Sequence, residues 1–305
     1  MDRTRLGFLV LLAAGLVAPF VVYPVFLMKG LCFALFACAL NLLLGYTGLL
    51  SFGHAAFFGS AAYLAGHAVK VWGVSPELGI LAGLLLGLGL GLVFGALAIR
   101  RQGIYFAMIT LALAQMVFFV CLQAPQTGGE DGLQGIPRGR LFGIVDLSDT
   151  LAMYYFVLAV FMAGFLFVYR VVHLPFGRVL QAIRENEARA VSVGYDTNRF
   201  KLIAFVLSAG LAGLAGATKA LVFQLASLTD VHWQMSGEVV LMALIGGVGT
   251  IYGPLVGAFI VVTMQNYLSA FGSWVTIIMG CVFVACVMLF RKGVVGELSE
   301  RLARR

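Results

Sequence analysis

The sequence predicts an all-α fold, a polytopic membrane bundle of about ten spans in which some helices are broken. Three observations predict it. Apolar residues make up 62% of the 305 positions and charged residues 11%, under half the charged share of a soluble fold. The apolar residues gather into runs, most of them close to the roughly 20 residues a bilayer requires. The basic excess, a net charge of +7, sits at the ends of those runs, where it signals topology and contact with anionic lipid rather than nucleic acid.

In chain order the expected spans are Leu6–Met28, Leu31–Leu50, Ala55–Val71, Leu78–Ile99, Tyr105–Leu122, Leu151–Val172, Leu202–Phe223, Val239–Val248, Pro254–Ala270 and Trp274–Phe290. Arg3 and Arg5 before Leu6–Ala18 have the look of a signal peptide. The run continues through Met28, however, and Pro19 falls where cleavage would occur, so an uncleaved span is expected. In the fourth run Gly83, Gly87, Gly91 and Gly95 form a ridge on one face, for packing within the chain or for a dimer contact. The eighth run is short, either a half-helix or a span reaching back through Glu238. Cys32, Cys38, Cys121, Cys281 and Cys286 lack metal-ligand spacing and read as packing thiols.

Lysine and arginine placement sets the orientation. Arg3, Arg5, Arg100, Arg101, the segment 173–201 and the tail Arg291–Arg305 share one face under a ten-span count, which makes both termini cytoplasmic. Lys29, Lys70 and the loop Gln123–Thr150 take the other face. An even number of spans keeps the basic tail inside.

Two glycine-rich segments, Leu44–His54 and Leu244–Pro254, interrupt the apolar pattern and read as helix breaks. Freed backbone at membrane depth must be buried in protein or line a wet cavity. Asn41, Gly45 and Gly48 share a helix face, either along a translocation pathway or in hydrogen bonds between helices. With Thr47, Ser51, Gly246 and Gly247 they are the pathway candidates. His54 is a proton relay or, more simply, a hydrogen-bonded histidine closing the first break.

Some functions are disfavoured. The chain has no Gly-x-x-x-x-Gly-Lys-Ser/Thr phosphate loop, so it is not expected to bind ATP by that route. No nucleophile–base pair is recognisable, and no enzymatic activity is expected. Glu77 and Glu238 sit at span boundaries and Asp230 in a loop, which argues against proton-coupled carriage. A metal site and a cofactor held by this chain are likewise not expected.

The segment 173–201 carries eight Asp, Glu, Lys or Arg residues between two apolar runs. Pro175 suits the first position of a helix, Phe176, Leu180, Ile183 and Ala190 fall on one face, and Glu185 and Arg189 form an i,i+4 pair. Gly194 stops the helix, and Asp196 or Thr197 caps the next span. This is an amphipathic helix that lies on lipid or docks a soluble partner.

Residues 176–190, Phe-Gly-Arg-Val-Leu-Gln-Ala-Ile-Arg-Glu-Asn-Glu-Ala-Arg-Ala, continuing to Gly194, resemble the ATPase-contacting loop of ABC importer permeases. With Leu40–Gly53, Thr127–Pro137 and Gly246–Gly249, in that order along the chain, they resemble the branched-chain amino acid permease family, of the LivM kind. One departure is that Glu187 precedes Gly194 by seven residues where the general importer loop has six. The resemblance implies a single permease domain over 1–305, in the inner membrane, that imports branched-chain amino acids or related small solutes. It implies a second permease subunit, most simply in a heterodimer, two cytoplasmic ATPases that use the ATP, and a periplasmic binding protein. Arg178, Arg184, Glu185, Glu187, Arg189 and Gly194 would contact an ATPase. The periplasmic loop 123–150 would receive the binding protein through Thr127, Gly128, Gly129, Gly132 and Pro137, or else plug the outer face. Urea and short-amide permeases look similar, and a stand-alone channel or facilitator is the alternative of a different class.

Overall fold

The computed structural model describes residues 3–268, 274–289 and 293–297. These are predominantly helical. The helices are α1 (Arg3–Val17), α2 (Pro24–Thr47), α3 (His54–Lys70), α4 (Pro76–Ala98), α5 (Ile104–Gln123), α6 (Thr150–His173), α7 (Pro175–Glu185), α8 (Glu187–Ser192), α9 (Thr197–Phe223), α10 (Leu228–Val231), α11 (Trp233–Gly246), α12 (Gly253–Leu268) and α13 (Trp274–Leu289). Four two-residue strands form two antiparallel pairs. β1 (Leu133–Gln134) pairs with β4 (Leu225–Ala226), and β2 (Arg140–Leu141) pairs with β3 (Val145–Asp146).

A helix lies on each of the ten apolar runs, and among the described residues five helices, α2, α4, α5, α6 and α9, are long and apolar enough to cross a membrane. The expected first run, Leu6–Met28, is in fact divided. A 3-10 turn at Ala18–Phe20 contains Pro19, and Pro24 opens α2. Proline ends one helix by lacking an N–H and starts the next where that N–H is not needed. Lys29, expected between spans, therefore lies inside α2. The eighth segment reaches back past Glu238 to Trp233, as one of its two readings required. Its 14 residues span about 21 Å at 1.5 Å per residue. The basic tail residues Arg291, Lys292, Arg301, Arg304 and Arg305 lie outside the described residues.

α2 is the central element, buried at every position from Phe33 to Leu43. α9 packs against α2, α3 and α4. The α4 glycine ridge faces α9 within the same chain. A Cβ at Gly87 would stand 2.7 Å from the Ala209 carbonyl oxygen, and one at Gly213 would stand 2.7 Å from that of Gly83. Backbone approaches backbone there, while Leu85, Leu92 and Leu97 on α4 point out of the bundle. The bundle has two distinct ends. One carries α7 and α8, the insert end; the other carries the 123–150 loop and β1–β4, the loop end.

Candidate functional site

The insert folds as two short helices where one was expected. α7 starts at Pro175, buries Leu180 and Ile183, and stacks Phe176 on Phe200 with ring centroids 5.7 Å apart. At Asn186 the backbone extends (φ −157°, ψ 98°), and the Asn186 side chain accepts from the Arg189 amide at 3.0 Å to cap α8. Asparagine is a strong N-cap residue, so the signal was present in the sequence. Glu185 and Arg189 consequently lie on different helices. Gly194 takes the left-handed conformation (φ +98°) that ends the insert, and Asp196 caps α9 by accepting from the Arg199 amide.

The five charged residues expected at an ATPase contact divide into two groups. Arg178, Glu185 and Arg189 are exposed and make no ion pair among the described residues, whereas Arg184, also exposed, and half-buried Glu187 each bond within the chain. Glu187 is engaged within the chain: its carboxylate meets Lys201 Nζ at 2.6 Å, the Thr197 hydroxyl at 3.1 Å and Gln102 Nε2 at 2.8 Å. Lys201 is only 3% exposed and belongs to α9, so Glu187 ties α8 to α9 and to the α4–α5 turn. Arg184 lies across the surface with its tip on the joint, where Nη1 donates to the Gly45 carbonyl.

That carbonyl lies in a joint where the two glycine segments meet. Asn41 Nδ2 donates to the Thr250 carbonyl at 2.9 Å, and Asn41 Oδ1 accepts from the Gly249 amide at 2.9 Å. Both ends of the buried carboxamide thus hold the second break against α2, satisfying backbone groups the break has freed. Gly45 permits this approach, since a Cβ there would stand 2.7 Å from the Gly249 nitrogen. Gly48 caps α2 at φ +75°, with the Arg184 stem beside it. Thr47 is bonded to the Leu43 carbonyl, and fully buried Ser51 accepts from the Gly53 amide at 3.1 Å. Gly246 packs against Gly253 and Gly257, and the Gly247 carbonyl accepts from the Thr250 hydroxyl at 2.7 Å. A cavity of about 370 Å³ opens at the joint, lined by Gly45, Tyr46, Gln181, Arg184, Glu185 and Gly249. Through the Arg184 bond α7 touches the Gly45 carbonyl, beside the break that Asn41 holds. His54 is fully buried. Its Nε2 is 2.8 Å from Ser208 Oγ, which bonds the Ala39 carbonyl, linking α3, α9 and α2.

At the loop end, the stretch chosen from sequence is largely anchored. Thr127 Oγ1 donates to the Ala124 carbonyl at 2.7 Å, Gly132 packs against Ala226, and β1 pairs with β4. Leu133, Ile136 and Leu147 are buried. Gly128 and Pro137 are exposed, and Gly129 partly so. The β2–β3 hairpin is held to α4, where the Phe142 amide donates to Glu77 Oε1 at 3.3 Å, and its tip presents Phe142 and Ile144, 73% and 85% exposed.

Two charged groupings escaped the sequence reading. Lys219 and Asp230 form a buried ion pair at 2.6 Å, and Asp230 also accepts from the Ser227 amide at 3.2 Å. Lys219 was one charge within an apolar run, and nothing local identified its partner eleven residues on. Glu238, expected at a boundary, lies inside α11 and accepts from Gln265 Nε2 of α12 at 2.9 Å.

Apolar helices broken at glycine joints, with one exposed amphipathic insert reaching such a joint, define the spanning component of a membrane transport system. Residues 24–290 match the family described as "Branched-chain amino acid transport system / permease component", and the chain belongs to that family. It is 28% identical over 280 residues to the high-affinity branched-chain amino acid transport system permease protein LivM of Escherichia coli, covering 83% of this chain. The chain spans 64% of that relative's length. It is 23% identical over 292 residues to the probable branched-chain amino acid transport permease protein LivH of Methanocaldococcus jannaschii, covering 87% of this chain and 90% of that one. It is 29% identical over 249 residues to the ribose import permease protein RbsC of Bacillus subtilis, covering 76% and 73%. No solved structure matches the chain.

Proposed function

We propose that the chain is a membrane-spanning subunit of an ATP-driven importer in the cytoplasmic membrane, with about ten crossings, the insert end and both termini in the cytoplasm and the loop end outside. It pairs with a second permease subunit, is driven by two soluble ATPases that hold the ATP, and receives substrate from an external binding protein. The observation that carries the reading is the Arg184 contact, which joins an exposed amphipathic insert to the backbone of the glycine joint. The mechanism follows from it. An ATPase docks on the exposed face of 173–201, through Arg178, Glu185 and Arg189. Its closure moves α7, and Arg184 carries the displacement to α2 and α11, opening and closing the path alternately to the two sides. Glu187 acts as a strut that keeps α8 and α9 moving together. On the other side the binding protein lands on 123–150, where the exposed hairpin offers Phe142 and Ile144.

Branched-chain amino acids are the proposed substrate class. The named relatives favour them, while the ribose permease among those relatives makes substrate the first thing to measure. Co-expression with candidate ATPase, second-permease and binding-protein partners, followed by purification and uptake into ATP-loaded vesicles, tests the reading. Co-isolation of a soluble ATPase and ATP-dependent uptake are expected. Charge reversal at Arg178 and Arg189 should release the ATPase. Transport by the chain alone, without ATP, would replace the importer with a facilitator.

A further inference from the structure

We infer that the loop end of this chain contains a recognition subsite for a solute bearing a primary ammonium on an apolar skeleton, with Glu238 as its anionic anchor. The inference rests on the importer reading and specifies the solute. A cavity of about 390 Å³ opens at the loop end between α5, α10 and the start of α11. Phe118, Leu228 and Met235 form its apolar wall, and Thr229, His232 and Glu238 supply its polar groups.

Glu238 stands five residues after Trp233, about 7.5 Å along the helix axis. A carboxylate at that depth in an apolar bundle is costly unless it has a task or a partner. The described residues give it a partial one. Oε2 accepts from Gln265, whereas no hydrogen bond to Oε1 and no ion pair within 4.0 Å is formed among the described residues. Lys29 of α2 influences it electrostatically without pairing to it. The contrast with Asp230 is instructive, because that carboxylate is closed off by Lys219 and by the Ser227 amide and hydroxyl. Glu238 is left able to accept an ammonium from the cavity.

The opposite charge of a zwitterion has a counterpart as well. His232 Nδ1 accepts from the Gln234 amide at 3.4 Å, which places the neutral ring's proton on Nε2 as a donor. The Thr229 hydroxyl and the positive end of the α11 dipole are close to it in sequence. An edge-to-face contact, with centroids 5.2 Å apart, holds the His232 ring against Phe118. Ammonium, carboxylate and aliphatic side chain each meet a matching wall. A sugar or urea has no ammonium to offer Glu238.

The test uses the purified complex of the full chain with its second permease subunit and ATPases, without the external binding protein, and measures equilibrium binding of leucine and of its deaminated analogue 4-methyl-2-oxopentanoate. Leucine should bind at least about tenfold tighter than the oxo acid, and Glu238→Gln should weaken leucine by about 10- to 100-fold. Met235→Trp, which fills the cavity and leaves the carboxylate in place, should weaken leucine comparably. Co-isolation of the ATPase reports that each variant is folded. Equal binding of amine and oxo acid, or wild-type leucine binding in both variants, overturns the subsite while leaving the importer intact. ATP-driven uptake of ribose or urea in place of amino acids overturns it too. Failure of ATP to drive any uptake overturns the importer reading itself.

Discussion

The two ends of the bundle handle polar groups in opposite ways. At the insert end both ends of the Asn41 carboxamide bond backbone, and Arg184 donates to the Gly45 carbonyl across closely packed glycines. At the loop end one carboxylate, Asp230, is closed off by a lysine, and another, Glu238, borders an open cavity. The first arrangement suits a joint that transmits force. The second suits a surface that meets a solute. Within the loop end, the Asp230 pair shows what a structural ion pair looks like here, and Glu238 departs from it.

The largest effect is expected where a charge is left alone. Asp230→Ala strands Lys219, 10% exposed in its side chain, and should cost about 3–5 kcal/mol in thermal or denaturant unfolding. Adding Lys219→Met should recover most of that loss, because an apolar pair of similar volume replaces a buried ion pair at little cost. If the double variant is as weak as the single one, Asp230 matters for more than Lys219, and the two carboxylates are less different than the geometry indicates.

Next is the joint. Gly45→Ala places a methyl group 2.7 Å from the Gly249 nitrogen, and backbone cannot rotate away as a side chain can. A loss of about 1–3 kcal/mol in melting stability is expected, with reduced uptake. A neutral outcome would mean that the joint is looser than its contacts.

The smallest effect lies on the hairpin. Hydrogen bonds from the Ser148 amide and hydroxyl hold the Asp146 carboxyl below the usual carboxylate range. A lowered value stabilises the turn above the unfolded pKa of about 4, and that contribution disappears as pH falls through the lower folded value. Hydrogen exchange at the Ser148 amide should therefore be better protected at about pH 5 than at about pH 2, with no change at the joint.

Much of this was legible in the sequence, for physical reasons that differ from residue to residue. Apolar runs located the helices because burial and lipid both select the same residues. Pro175 and Gly194 located the insert because each has a backbone preference independent of context. Lys29 was misplaced because averaging hydropathy moves any charge toward a boundary, and Pro24 was the better marker. Asn186 was passed over because the helical pattern around it is strong, although its side chain caps α8. The joint itself was out of reach. Asn41 and Thr250 are 209 residues apart, and a shared glycine pattern does not say that two breaks touch.

If Arg184 carries movement from the insert to the joint, its loss must lower the ratio of solute imported to ATP hydrolysed. In the reconstituted complex, Arg184→Ala should leave ATPase co-isolation and hydrolysis close to wild type while uptake per ATP falls clearly below the wild-type ratio. Arg184→Ala with uptake per ATP unchanged would contradict the account, and the joint would then be a fixed part of the scaffold.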